Sequence, residues 1–439
     1  MSKPIVAIVG RPNVGKSSLF NMLAGRRIAI VKDEPGITRD RIYADVDWEG
    51  RTFTVIDTGG IEPESADPML SKMREQALIA VNTADVVIFM TDVQMGLSDD
   101  DVGVSNILRR SGKPVILAVN KVDSFRKYES DVYEFYNLGL GDPFPISATE
   151  KQGVGDLLSE VVKHLPGESS GQEEDERPKI AIVGRPNVGK SSMINRYLGK
   201  DRLIVSEVAG TTRDAIDTVV KHHGKEYIFV DTAGLRRKNK IKEELEAYMI
   251  ARTVSAVDRS DVVVVVIDAL EGVAEQDAKI AGIAHDRGKG VIIAVNKWDA
   301  LEKNDKTIYE MSRKIQQTLS FMPYAEILFI SAKTGQRMDK LFASIDAVIE
   351  NQNMRVQTGV LNEILAEALA MQQPPTDKGR RLKVFYMTQT GVKPPTFVLF
   401  VNSMKLMHYS YTRYIENKVR EAFGFAGTPL RFIVKERKQ

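Results

Sequence analysis

At 439 residues, with a net charge of only +2 and no cysteine, the chain is long enough for about three domains and has no disulfides or thiolate metal sites to hold them. No apolar run reaches the ~18 residues of a membrane-spanning helix, and no charged-then-apolar leader opens the chain. A disulfide-stapled secreted scaffold and a membrane partner are excluded, and a cytoplasmic protein is expected.

The first predicted strand, Ile5 to Val9, runs into Gly10-Arg11-Pro12-Asn13-Val14-Gly15-Lys16-Ser17-Ser18, which fits the phosphate-binding pattern G-x-x-x-x-G-K-[ST] between a buried strand and a helix start. Glycines let the backbone curl until several N–H groups converge on one anion, and the helix N-terminus adds partial positive charge. Lys16 would bridge the terminal phosphates as the catalytic cation, and Ser17 would hold Mg²⁺. A helical pattern covers Ser17 to Ala24. Ile42 to Trp48, followed by Glu49-Gly50, reads as an antiparallel edge strand paired with Phe53 to Ile56. A second helical pattern covers Pro68 to Asn82, and apolar, β-branched runs recur at Val86 to Met90 and Val115 to Val119. The alternation predicts an α/β domain over 1–166, a mainly parallel sheet with helices on both faces that binds ligands at the carboxyl ends of its strands.

An acidic stretch, 167–177, reads as a linker: Glu168, Glu173, Glu174, Asp175 and Glu176 stand among Gly and Ser without periodicity. Residues 178–350 then repeat the first domain at an offset near 174. Gly184-Arg185-Pro186-Asn187-Val188-Gly189-Lys190-Ser191-Ser192 copies the phosphate loop letter for letter, with Lys190 and Ser191 in the roles of Lys16 and Ser17. Strands are predicted at Ile180 to Val183, Tyr227 to Val230, Val262 to Ile267 and Val291 to Val295.

Residues 351–439 carry no phosphate loop. A helix at Leu361 to Met371, strands at Lys383 to Thr388 and Thr396 to Val401, a helix at Tyr411 to Phe423 and a strand at Leu430 to Val434 predict a small α+β module with both helices on one face. From Pro375 to Gln439 there are thirteen Lys and Arg against four Asp and Glu, an imbalance that predicts a polyanionic partner, nucleic acid above all. Lys405, Arg413, Lys418 and Arg420 lie among or near five Tyr and Phe between Tyr409 and Phe425; such rings can stack on bases, although a core role suits most of them better. Gly424-Phe425-Ala426-Gly427 has the letters of an RNA-backbone clamp, but it follows the last helix, where a C-cap and turn are expected.

The base is chosen elsewhere. Asn120-Lys121-Val122-Asp123 and Asn296-Lys297-Trp298-Asp299 each follow an apolar strand. A carboxylate there accepts from the N1–H and 2-amino group of guanine, donors that adenine lacks, so Asp123 and Asp299 would be left unpaired against adenine. Asn120 and Asn296 would fix base and loop, and the Lys121 and Lys297 stems would cover the base. Backbone N–H groups of Ser147-Ala148 and Ser331-Ala332 would meet the guanine O6. Asp57-Thr58-Gly59-Gly60 and Asp231-Thr232-Ala233-Gly234 end two strands: Asp57 and Asp231 would anchor Mg²⁺, and the N–H of Gly60 or Gly234 would meet the γ-phosphate while it is present and release on hydrolysis. Thr38 and Thr212 are the candidates for a further Mg²⁺ ligand.

This ordered set resembles the Ras-like, translation-factor-related GTPases over 4–165 and again over 178–350. Two such domains followed by a basic α/β module resemble one family specifically, the bacterial EngA (Der) ribosome-assembly GTPases. The resemblance implies GTP and GDP as ligands, work on the ribosome and its rRNA, most of all the large subunit, and a KH-like fold for the C-terminal module, acting as a monomer. Ile61 and Leu235 stand where many GTPases place a water-orienting glutamine. The resemblance supplies a substitute: Asn13 and Asn187 match an asparagine that helps coordinate K⁺ in related GTPases. Arg11, Arg185, Arg39 and Arg213 are further candidates for stabilising phosphate charge. Two other functions stay open on these residues: an RNA-binding scaffold that senses guanine nucleotides with little turnover, and a tRNA-modification GTPase, against which the duplication argues.

Overall fold

The computed structural model describes residues 3–25, 43–58, 69–167, 175–200, 217–232, 246–304, 306–377 and 379–437. They fold as two compact units, one built on the first sheet and the other holding the second sheet together with the C-terminal module.

In the first sheet, β1 (Ile5–Gly10) lies between β3 (Arg51–Asp57) and β4 (Val86–Asp92), and the order is completed by β2 (Tyr43–Trp48) outside β3 and by β5 (Val115–Asn120) and β6 (Phe144–Pro145) outside β4. All pairs are parallel except β2 with β3, the predicted hairpin. All six residues of β1 are buried, as a central parallel strand covered on both faces requires. Alternate residues serve the two faces: Val6 and Ile8 pack with Leu19, Phe20 and Leu23 of α1 (Lys16–Gly25), while Ile5, Ala7 and Val9 pack with Met73, Ala77 and Ala80 of α2 (Met69–Thr83). The sheet reverses its winding order at β1, and the phosphate loop occupies that switch point. Around the sheet run α3 (Asp99–Arg110), α4 (Phe125–Glu134) and α5 (Val154–His164).

The second sheet repeats the arrangement, with β7 (Lys179–Val183) between β9 (Lys225–Val230) and β10 (Val262–Asp268), β8 (Thr218–His222) antiparallel at one edge, and β11 (Gly290–Asn296) and β12 (Glu326–Phe329) at the other. After α6 (Lys190–Lys200) comes α7 (Glu246–Arg259), which belongs to the first unit as far as Ser255, and the sheet's further helices are α8 (Glu275–Asp286), α9 (Thr307–Thr318) and α10 (Met338–Asn353). Just before it, Arg177 is held by Asp175 and Glu226, so the end of the acidic stretch is anchored to the sheet edge.

The C-terminal module has the expected order, with α11 (Thr358–Met371), β15 (Val384–Gly391), β16 (Thr396–Val401), α12 (Tyr409–Phe423) and β17 (Arg431–Glu436), plus a short hairpin, β13 (Thr376–Asp377) and β14 (Arg380–Arg381), that the sequence pattern did not announce. Leu361, Leu365, Ile415 and Val419 of the helices pack on Met387, Phe397 and Leu399 of the sheet. Gly424 caps α12, its N–H reaching the Arg420 carbonyl at 2.8 Å, and Phe425 is fully buried. The turn then docks on the second α/β domain: the Gly427 N–H donates to the Tyr324 carbonyl and the Val291 N–H donates to the Gly427 carbonyl, both at 2.7 Å. At φ +71°, with a Cβ that would stand 2.2 Å from Val348 Cγ2, Gly427 cannot carry a side chain there. Among the described residues, no helix is long and apolar enough to cross a membrane.

Candidate functional site

Each phosphate loop is closed by a residue from the base-recognition motif. Asn120 donates through Nδ2 to the Val14 carbonyl at 2.7 Å, and Asn296 donates to the Val188 carbonyl at 2.8 Å. The contact demands glycine beside it: Gly15 and Gly189 both have φ +100°, and a Cβ on either would stand 2.2 Å from the asparagine Nδ2. Val14 and Val188 are buried and seat the loop in the core, while Pro12 is exposed and Pro186 half-buried. The Lys16 ammonium donates to the carbonyls of Gly10 and Arg11 at 2.7 and 2.8 Å, and Lys190 to those of Gly184 and Arg185 at 2.8 and 2.6 Å. The first turns of α1 and α6 carry no acidic residue to compete for an anion. Asn13 and Asn187 are exposed and left-handed, φ 64° and 62°, a conformation asparagine tolerates.

Ser17 donates to Asp57 Oδ2 at 3.0 Å, which sets a hydroxyl and a buried carboxylate side by side at the start of α1. Two hard oxygen donors at a phosphate cradle fit Mg²⁺, whose remaining positions are filled by phosphate and water rather than by a protein cage. Among the described residues there is no cluster of three or more His, Cys, Asp or Glu. Thr58 is buried, with its hydroxyl on the Ile8 carbonyl at 2.6 Å; Thr232 is buried with its hydroxyl 2.6 Å from that of Thr218. Asp231 adopts φ 55° and its N–H donates to Asp217 at 3.1 Å; Ser191 is half-buried at the start of α6. Thr38, Gly59, Gly60, Ile61, Thr212, Ala233, Gly234, Leu235, Arg39 and Arg213 lie outside the described residues.

The loop arginines are neither solvated nor aimed at the phosphates. Arg11 Nε donates to Asp101 at 2.9 Å and its Nη2 to the Gly96 carbonyl at 3.2 Å; Asp101 is fully buried. Arg185 repeats this with Asp277 at 3.0 Å and the Gly272 carbonyl at 3.0 Å, and adds Glu271 at 2.8 Å. A buried carboxylate costs several kcal/mol unless paired, so each arginine is committed to its aspartate. Burial pushes both aspartates above the usual carboxylate range while the arginines pull them back. Asp101 also closes a capping box with Ser98 at the start of α3, a signal the Ser98-x-x-Asp101 spacing carried; its pairing with an arginine ninety residues earlier was not legible.

At the base end, Lys121 and Lys297 pair with Asp92 and Asp268, each at 2.5 Å, at the ends of β4 and β10. Ser147 donates to Asp123 at 2.8 Å and Ser331 to Asp299 at 2.5 Å. The Ser331 hydroxyl is the main reason the Asp299 carboxyl sits below its ordinary range, so it is ionised at neutral pH. Val122 and Trp298 are buried behind these aspartates, the indole against Phe329 at 4.5 Å. The amides predicted to meet O6 have partners within the folded loops. The Ser147 and Ala148 N–H groups already donate within the chain, to the Gln152 carbonyl and to Asn120 Oδ1, both at 3.0 Å. Ser331 and Ala332 do the same with Gln336 and Asn296, at 3.1 and 2.9 Å. The next amides, those of Thr149 and Lys333, have no acceptor among the described residues.

Of the four basic residues predicted beside the aromatics of α12, three are engaged within the folded chain. Arg413 donates to the Ser320 carbonyl at 3.0 Å, Arg420 lies over the Tyr324 ring at 4.6 Å and Lys418 pairs with Glu421 at 2.6 Å. The first two brace the module against the second α/β domain, and only Lys405 of the four stands exposed and unpaired among the described residues.

Comparison with known proteins agrees with this geometry. A family described as "50S ribosome-binding GTPase" matches residues 5–121 and 179–297, and one described as "KH-domain-like of EngA bacterial GTPase enzymes, C-terminal" matches 355–435. The GTPase Der of Agathobacter rectalis is 70% identical over 439 residues, covering 100% of both chains. The chain belongs to the Der (EngA) family of GTPases. The Der of Acetivibrio thermocellus is 55% identical, again over 100% of both chains. Among solved structures, the FeoB G-domain from Methanococcus jannaschii is 24% identical, covering 37% of this chain and 98% of its own, with a TM-score of 0.29. As a Der-family GTPase with two P-loop G domains and a KH-like module, the chain hydrolyses GTP, and this family of GTPases uses Mg²⁺.

Proposed function

We propose that the chain is a GTP-driven switch in assembly of the large ribosomal subunit, acting in the cytoplasm as a monomer. Its parts are two G domains at 1–166 and 178–350, an acidic connection at 167–177 and a KH-like module at 351–439 that meets rRNA. In each G domain the loop amides and Lys16 or Lys190 take the phosphates, and Asp123 or Asp299 takes the guanine edge. The N–H groups of Ser147-Ala148 or Ser331-Ala332, with the amide of Thr149 or Lys333 next to them, meet O6. Ser17 with Asp57, or Ser191 with Asp231, would hold Mg²⁺, which when bound offsets charge on the β- and γ-phosphates. K⁺ would sit at Asn13 or Asn187, whose exposed side-chain amides have no partner among the described residues. The observation that carries the reading is the paired, serine-held aspartate at each base site, in a chain whose two G domains match a family described as ribosome-binding. Sedimentation with purified large subunits tests it: association should differ between a non-hydrolysable GTP analogue and GDP, and turnover should be faster in KCl than in NaCl. Association indifferent to nucleotide would refute the switch, and equal turnover in the two salts would remove K⁺.

A further inference from the structure

The β-sheet of the C-terminal module has two dissimilar ends. At one, the Lys393 N–H donates to the Gln352 carbonyl at 3.1 Å and a Cβ on Gly288 would stand 2.8 Å from Pro394, so this end is seated on the second α/β domain. The other end, where β15 starts and β16 and β17 finish, lies a strand's length away, about 20 Å. There a register shift between Val384 and Tyr386 interrupts the pairing of β15 with β16. A bulge breaks the in-out alternation. Val384 and Met387 turn into the core, and two consecutive aromatics are left outside: Phe385 is 43% exposed and Tyr386 37%.

Tyr386 stacks flat on its register partner Phe400, with centroids 4.3 Å apart and planes at 15°, and Arg437 stands over the Phe385 ring at 5.8 Å. Asn402 ties the neighbouring hairpin to this end, donating to the Arg381 carbonyl at 3.0 Å and accepting from the Lys383 N–H at 2.8 Å. Arg380, Arg381, Lys383, Lys435 and Arg437 are all exposed, and none is in an ion pair among the described residues. The nearby carboxylate of Glu436 is occupied by the Met404 N–H at 2.7 Å. Single exposed aromatics need no explanation, but two displayed side by side by a bulge, backed by a third ring and ringed by unneutralised cations, are unsuited to a core or to an apolar protein interface. Flat π-faces beside free guanidinium and ammonium groups suit unpaired bases on a phosphate backbone.

We propose that this corner of the module is a single-stranded RNA site, with an unpaired base stacked on Phe385 or Tyr386 and the flanking phosphates met by Lys383, Lys435 and Arg437. It rests on the proposed ribosomal role and names the chemistry of the contact: an unstacked strand rather than a duplex. Fluorescence anisotropy of the full-length protein with a labelled oligouridylate and with a duplex RNA of equal length tests it. Phe385→Ala/Tyr386→Ala should weaken oligouridylate binding about ten-fold or more while leaving duplex binding, thermal melting and GTP turnover as they were, because stacking is lost and charge is not. Phe385→Trp/Tyr386→Trp should restore it, and Lys435→Ala/Arg437→Ala should flatten the salt dependence. Unchanged oligouridylate binding by the alanine variant, equal loss on both RNAs, or a parent protein that ignores single strands would overturn the assignment. If the parent still sediments with large subunits in the GTP-analogue state, only the corner falls; if it does not, the ribosomal reading falls with it.

Discussion

The two G domains carry identical phosphate loops in unlike surroundings. Among the described residues, Asp101 of the first domain keeps three donors, Arg11 and both the hydroxyl and N–H of Ser98; in the second, Ala274 replaces that serine, and Asp277 has Arg185 and one backbone N–H at 2.9 Å. Behind the base-recognition aspartate stands Val122 in one domain and Trp298 packed on Phe329 in the other. The second domain is also tied to the C-terminal module through Val291, near the start of the strand that ends in Asn296; the corresponding strand of the first domain starts at Val115, beside Pro114, whose carbonyl accepts from Val87 of the same sheet. Identical motifs therefore specify the same ligand chemistry, while their supports decide how strongly each loop is held and what else moves with it.

Removing the arginines should separate the supports most sharply. Arg11→Met and Arg185→Met each strand a buried carboxylate, at an expected cost of about 3–5 kcal/mol, with Arg185→Met the more damaging because Asp277 has fewer remaining donors. The sign with pH follows from burial, which already raises both aspartates. An unpaired carboxyl favours its protonated form in the folded state, so the loss should be largest at neutral pH and ease as pH falls through the raised value. Release of a fluorescent GDP analogue during denaturation, followed across pH, reads this in each domain. A smaller effect, about 1–3 kcal/mol, is expected from Gly427→Val, which forces a β-branched residue into left-handed backbone against Val348. Hydrogen exchange at the Val291 amide should rise while exchange in the first sheet stays unchanged.

Much of this was legible in the sequence because strong local signals agreed with the fold. The apolar runs became central strands, Glu49-Gly50 became the β2–β3 turn, and the phosphate loops fell at the strand–helix switch. What escaped were contacts between residues far apart in the chain. Arg11 with Asp101 and Gly427 with Val291 leave no periodic trace, and the aromatic corner depends on a bulge that hydrophobic patterning does not register. The hydrogen bonds within the base-end loops escaped as well, because only the folded loop brings the Ala148 and Ala332 N–H groups onto Asn120 and Asn296.

The central claim is that Asp123 and Asp299, each oriented by a serine hydroxyl, read guanine in both domains. Competition of GTP and ATP for the full-length protein, with Asp123→Asn and Asp299→Asn each leaving one domain intact, measures it directly. Preference for GTP by orders of magnitude at both sites, collapsing only in the substituted domain, is the expected result. Comparable binding of ATP by the unaltered chain, or preference untouched by either substitution, would contradict it.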